Sequence, residues 1–131
     1  MLMLPVSHSQ LVWLFRALLV VNLVAVSWLA FTGTQVPAPG IFFGDKVNHL
    51  AAFLVLAFCV DRSFPNTSFT RIKIWPLIFY GVLIEVVQSQ LDHRQFSLLD
   101  MLADGVALVI YGFIREPMRR LVVPKDSSLV K

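Results

Sequence analysis

Between Tyr80 and Asp104 the chain reads YGVLIEVVQSQLDHRQFSLLDMLAD, and this stretch constrains the fold more than any other. It joins the end of one strongly apolar segment to the start of another through a short polar hairpin. Glu85 and Gln88 sit inside the first segment, Asp100 and Asp104 inside the second, and Asp92, His93 and Arg94 between them. A soluble helix would place such groups on its wet face, and these segments have almost no wet face. Ionisable residues inside apolar spans are expensive, so they face a bundle interior or a cavity and are functional candidates by default.

The rest of the chain points to the same setting. Hydrophobic residues make up 57% of the 131 and charged residues 15%, against about 45–50% and roughly 25% in ordinary globular domains. The mean hydropathy is +0.75. A soluble domain so composed would lack the polar residues to cover its surface, so an all-α integral membrane protein is the economical reading. The formal charge of +3 is too mild and too scattered to argue for nucleic acid. Cys59 is the single cysteine; it cannot form an intramolecular disulfide and lies in an apolar run, where cysteine acts as a small hydrophobe.

Four spans follow, at about 11–32, 46–61, 72–91 and 98–114, in one domain covering 1–131 with a tail at 115–131. The first, LVWLFRALLVVNLVAVSWLAF, is interrupted only by Arg16, Asn22 and Ser27, and a span needs about 20 mainly apolar residues. Arg16 could snorkel to the interface. A cleaved signal peptide competes, but no Lys or Arg precedes Arg16 and no clear small-x-small site follows. The Gly- and Pro-rich GTQVPAPG marks a loop. Asp45 then reads as a helix N-cap, with His49 one turn further on the same face. Pro76 falls early in the third span, where proline is tolerated. Glu85, Gln88 and Asp92 form one stripe of that helix. In the fourth, Asp100 and Asp104 share a face, and Ala103, Gly105, Ala107 and Gly112 are small enough to let helices approach.

Nine of the eleven Lys and Arg fall on the side holding both termini and the second loop; only Lys46 and Arg94 fall on the other. The positive-inside rule therefore places both termini in the cytoplasm. It follows that the second span begins, the third ends and the fourth begins at the outer face. Three helices bring their polar residues to one level of the membrane, with Glu85 on the order of 10 Å below Asp92.

These residues resemble the VanZ-like family of small bacterial membrane proteins. The pattern is carried by Asp45, Lys46, His49 and Phe53, by Glu85 and Gln88, by Arg94, Phe96 and Ser97, and by Asp100 and Asp104. The match covers about 44–112. This chain has Asp104 where the family usually has Asn, and Ala107 where the family tends to have Gly. The resemblance implies a four-helix integral protein of the bacterial inner membrane and cell envelope. Its namesake is linked to low-level teicoplanin resistance without a settled biochemical activity, so the family implies an association and no mechanism.

The polar cluster has a bland reading and a functional one. Capping and interfacial anchoring would explain Asp45 and Lys46. An interhelical network of Glu85, Gln88, Asp100 and Asp104, with Arg94 as a fork-shaped donor, would fix the bundle. Interhelical polar pairs average only about 0.6 kcal/mol, whereas one central Asp costs roughly 2.5–3.5 kcal/mol to insert. Stability alone would favour apolar packing, which favours function. His49, Glu85 and Asp100 are the candidates for acid–base chemistry, and Ser97 stands near His93 and Asp100 without a triad's geometry being given by sequence. No nucleophile elbow, Walker loop or dinucleotide fingerprint supports a named reaction. No metal or other cofactor is expected: His49 is the one histidine within the spans, and no HExxH-type spacing occurs. The reading is a membrane protein with a polar pocket facing outside that binds an envelope lipid, a cell-wall component or an amphiphilic glycopeptide-type drug. A membrane hydrolase or transferase acting on a lipid-linked substrate and a structural partner subunit are the alternatives.

Overall fold

A computed structural model describes residues 7–32, 44–92 and 96–122. They form four α-helices: α1 (His8–Thr32), α2 (Gly44–Ser63), α3 (Ile74–Gln88) and α4 (Leu98–Val122), with a five-residue π turn (Phe69–Lys73) leading into α3. No strand occurs among the described residues. Helix α2 lies at the centre, packed along α1 on one side and α4 on the other, with α3 leaning against all three.

Local chemistry explains the boundaries. Ser68 caps the π turn, its Oγ accepting from Arg71 N at 3.4 Å while its carbonyl accepts from Ile72 N and Lys73 N. Pro76 has no N–H to give the Ile72 carbonyl, so a regular α ladder cannot run through this point; the π turn sits directly before it. Ser97 caps α4, accepting from Asp100 N at 3.2 Å.

Three expectations about the elements need correction. Helix α2 starts at Gly44, which places Asp45 within its first turn and not at the cap. The regular part of α3 ends at Gln88, and a turn follows, so the third helical run, 69–88 with the π turn, lies three residues earlier than the expected 72–91. Helix α4 continues eight residues past 114, through Pro117, into what the sequence suggested was tail. Arg115, the first residue of that continuation, bonds Asp61 of α2.

The core is aromatic and aliphatic. Phe53, Leu56 and Ala57 of α2 meet Leu77 of α3 and Ala107, Leu108 and Tyr111 of α4, with Phe69 of the π turn closing one end. Tyr111 is the hub, its ring edge-on to Phe69 at 5.0 Å and to Phe58 at 6.5 Å. Such pairs add about 0.5–1.5 kcal/mol beyond their buried area.

Among the described residues the outward faces of the helices are largely apolar. On α1 the half-buried stripe runs from Leu11 through Arg16, Asn22 and Ser27 to Ala30, so every polar residue in the helix interior lies on the inward side. Arg16 Nε donates to the Ser63 carbonyl at 3.1 Å, Asn22 Nδ2 to the Leu18 carbonyl at 2.9 Å, and Ser27 Oγ pairs with Tyr80 Oη at 2.8 Å. Arg16 is thus a cap on the end of α2, where a cation meets unsatisfied carbonyls, and does not extend alone to an interface. The outward side presents Trp13, Val20, Val24 and Trp28. Helix α1 is the one described helix that is by itself long and apolar enough to cross a membrane.

Candidate functional site

The buried acidic and basic side chains sort to the two ends of the bundle. At one end the C-terminal turn of α1, the start of α2, the end of α3 and the start of α4 come together around His49. At the other, the end of α2, the π turn and the later part of α4 meet around Asp61.

At the first end, His49 Nδ1 lies 3.0 Å from Asp104 Oδ1 of α4. Its other nitrogen, Nε2, faces Glu85 Oε1 of α3 at 3.9 Å and Asp100 Oδ2 of α4 at 3.8 Å. Lys46 Nζ, one turn before His49, reaches Asp100 Oδ1 at 3.4 Å. Glu85 is fully buried, and its second oxygen accepts from Ser97 N at 3.1 Å. That bond ties the end of α3 to the start of α4. Glu85 Oε1 and Asp104 Oδ2 are buried and accept no hydrogen bond. Buried polar atoms are almost always bonded, and each exception needs a reason.

Local structure explains this placement. Lys46 and His49 are three apart on α2, Glu85 lies one turn before the end of α3, and Asp100 and Asp104 occupy one face of α4, so short approaches between helix ends suffice. Gly81, one turn before Glu85, makes room for Asp104: a Cβ there would lie 3.0 Å from Asp104 Oδ2 and 3.2 Å from Phe53 Cζ.

The structure thus gathers Lys46, His49, Glu85, Asp100 and Asp104 into one cluster drawn from three helices. Gln88 does not join it. Its Nε2 donates to the Ala30 carbonyl at 3.1 Å, which fastens α3 to the last turns of α1. Asp45 lies in α2, but its side chain falls outside the described residues, as do the whole of His93 and Arg94. Ser97 caps α4 through its Oγ and bonds Glu85 through its backbone N–H.

Two features escaped the sequence reading. Gly81 was not singled out, whereas Gly105 and Gly112, expected at helix contacts, have nothing within 4 Å of a Cβ position. The second was the Asp61 network. Asp61 Oδ1 takes Lys73 Nζ at 2.7 Å and Arg115 Nη2 at 3.2 Å, and its Oδ2 takes Tyr111 Oη at 2.8 Å and Arg115 Nε at 3.3 Å. Lys73 also donates to the Asp61 carbonyl at 3.0 Å. Lys73, which in sequence flanks the third span, is 3% exposed. The i, i+4 spacing of Tyr111 and Arg115 was the available signal. Every Asp61 oxygen is satisfied, which marks this network as structural and contrasts with the unfilled acceptors around His49.

No family model, curated protein or solved structure matches this chain. The resemblance to VanZ-like proteins therefore stands on the motif residues themselves.

Proposed function

We propose that the chain is a multi-pass, VanZ-like membrane protein whose His49 cluster binds the polar head of an envelope amphiphile. The carrying observation is an inverted distribution of polarity. Glu85, Gln88, Asp100, Asp104, Asp61 and Lys73 are buried, while Trp13, Trp28, Phe79 and Phe113 are each at least 67% exposed. Soluble monomers rarely expose apolar patches beyond a few hundred Å²; a lipid-facing surface is the setting in which this arrangement costs nothing.

The helix lengths agree with that setting. Helix α2 has 20 residues, and the π turn with α3 makes an unbroken helical run over 69–88; the hydrocarbon core takes about 20 residues of helix. Helices α2 and α4 carry their charges inward or at their ends, so they cross as members of a bundle and not singly. The Asp61 end gathers Arg16, Arg62, Lys73 and Arg115, which favours the cytoplasmic side. The His49 end then opens toward the outer leaflet of the bacterial inner membrane. There Glu85 Oε1 and Asp104 Oδ2 offer acceptors to the hydroxyl or amine groups of a headgroup.

Thermal stability of the detergent-solubilised wild type and Glu85→Gln, with and without envelope lipid extract, tests the reading. The expected outcome is a raised Tm with lipid for wild type and none for a normally folded variant. An unstable variant, with neither protein shifted by lipid, would make the cluster packing and the chain a structural subunit.

A further inference from the structure

We infer that His49, Glu85 and Asp100 form a binding site for a divalent transition-metal ion, with Asp104 positioning the histidine. The inference rests on the reading of the His49 cluster as a ligand site, and names what that site holds first.

Geometry carries it. One ligand atom from each of His49, Glu85 and Asp100 lies within 4.8 Å of the others. Tetrahedral ligands at about 2.0–2.1 Å from zinc sit roughly 3.3–3.4 Å from one another. The His49 Nε2 separations of 3.9 and 3.8 Å exceed that by about half an ångström, and with the Glu85–Asp100 pair within 4.8 Å side-chain adjustment can draw the carboxylates in. The same separations are too long for hydrogen bonds. Nε2 and the two carboxylates surround a common point without contacting one another.

The other histidine nitrogen supports the assignment. A metal-ligating histidine almost always gives its second ring N–H to a carboxylate, carbonyl or water, which fixes the tautomer. Asp104 Oδ1 stands 3.0 Å from Nδ1 for that purpose. With the proton on Nδ1, Nε2 presents a lone pair toward Glu85 Oε1, a buried oxygen with no hydrogen-bond partner.

Charge points the same way. Among the described residues the cluster sets three carboxylates, Glu85, Asp100 and Asp104, against one ammonium, Lys46. With His49 neutral and all three carboxylates ionised, two positive charges would be missing. Leaving buried charge unbalanced is costly, and a divalent cation supplies both. An imidazole beside two carboxylates suits zinc or manganese better than calcium or magnesium, which take all-oxygen shells. Three protein ligands leave a coordination position open, where an oxygen of the amphiphile's headgroup would bind. Spacing within a single helix could not reveal this site, because each ligand comes from a different one.

The test uses the full chain in detergent, stripped with chelator, titrated with Zn²⁺ alone and with Co²⁺ alone, whose visible spectrum reports a low-coordinate site. One equivalent is expected to bind. His49→Ala and Glu85→Gln should lose it, Asp104→Asn should weaken it about 10–100-fold, and Lys46→Met should tighten it by removing the competing cation from Asp100. Asp92→Asn, at an exposed position, should change nothing. Helical circular dichroism and a single size-exclusion peak qualify each variant as folded. Wild type that binds neither ion, or folded His49→Ala that binds as well as wild type, would overturn the inference. The lipid shift is measured separately, on stripped and on zinc-loaded protein. A shift without metal binding removes the metal and keeps the amphiphile, and metal binding without any lipid shift does the reverse.

Discussion

A single methyl group tests how tightly the His49 cluster is built. In Gly81→Ala the new Cβ would sit 3.0 Å from Asp104 Oδ2 and 3.2 Å from Phe53 Cζ, and overpacking of this kind costs about 1–3 kcal/mol. The expected result is a lower Tm in detergent. Because Asp104 holds His49, the lipid or metal response should fall as well. Gly105→Ala is the matched comparison: nothing lies within 4 Å of its Cβ position, and alanine favours helix by about 1 kcal/mol over glycine, so its Tm should hold or rise. Equal losses in the two variants would show that α3 does not approach α4 at Gly81. The sequence identified small residues in α4 but could not say which of them meets a neighbour. That depends on how the helix is rotated about its axis, and rotation is set by packing.

At the scale of elements, the Asp61 network joins α2, the π turn and α4 through one carboxylate. Asp61 is 9% exposed and Lys73 3%, so removing the carboxylate's charge leaves a buried ammonium without its counter-ion. Breaking such a pair costs about 3–5 kcal/mol. Asp61→Asn should lose stability on that scale in mixed-micelle unfolding, and Asp61→Asn with Lys73→Met should recover part of it, since an apolar replacement of both partners is often neutral. If the double variant is no better than the single, the Lys73 contact is not the source of the loss. Through Arg115 this network also holds the start of the α4 extension, whose end at 122 had a local signal in Pro124, two residues further on. Gln88 teaches the same lesson at the opposite end: its stripe with Glu85 was legible, but its partner, the Ala30 carbonyl of α1, was 58 residues away in a segment with no matching polar signature.

For the molecule as a whole, the proposed topology makes a labelling prediction. In a Cys59→Ser background, Ser7→Cys should react with an impermeant thiol reagent only after the cells are opened, and Asp92→Cys should react in intact cells. The reverse pattern would invert the orientation drawn from the Lys and Arg distribution, and labelling of both sites from one side would rule out the three crossings proposed between them. Composition and periodicity alone were enough to determine an all-helical chain, four helices near their observed positions, and polar groups sharing one end of three of them. These are local properties, written in the spacing of apolar residues along each helix. Only the tertiary structure decided that His49 meets Asp104 through one nitrogen and faces Glu85 and Asp100 with the other, that Gln88 turns away to α1, and that Asp61 anchors the far end. Those outcomes depend on the relative rotation and register of helices far apart in the chain. Rotation and register are fixed by shape and by the need to satisfy buried polar atoms, and no window of sequence contains both partners.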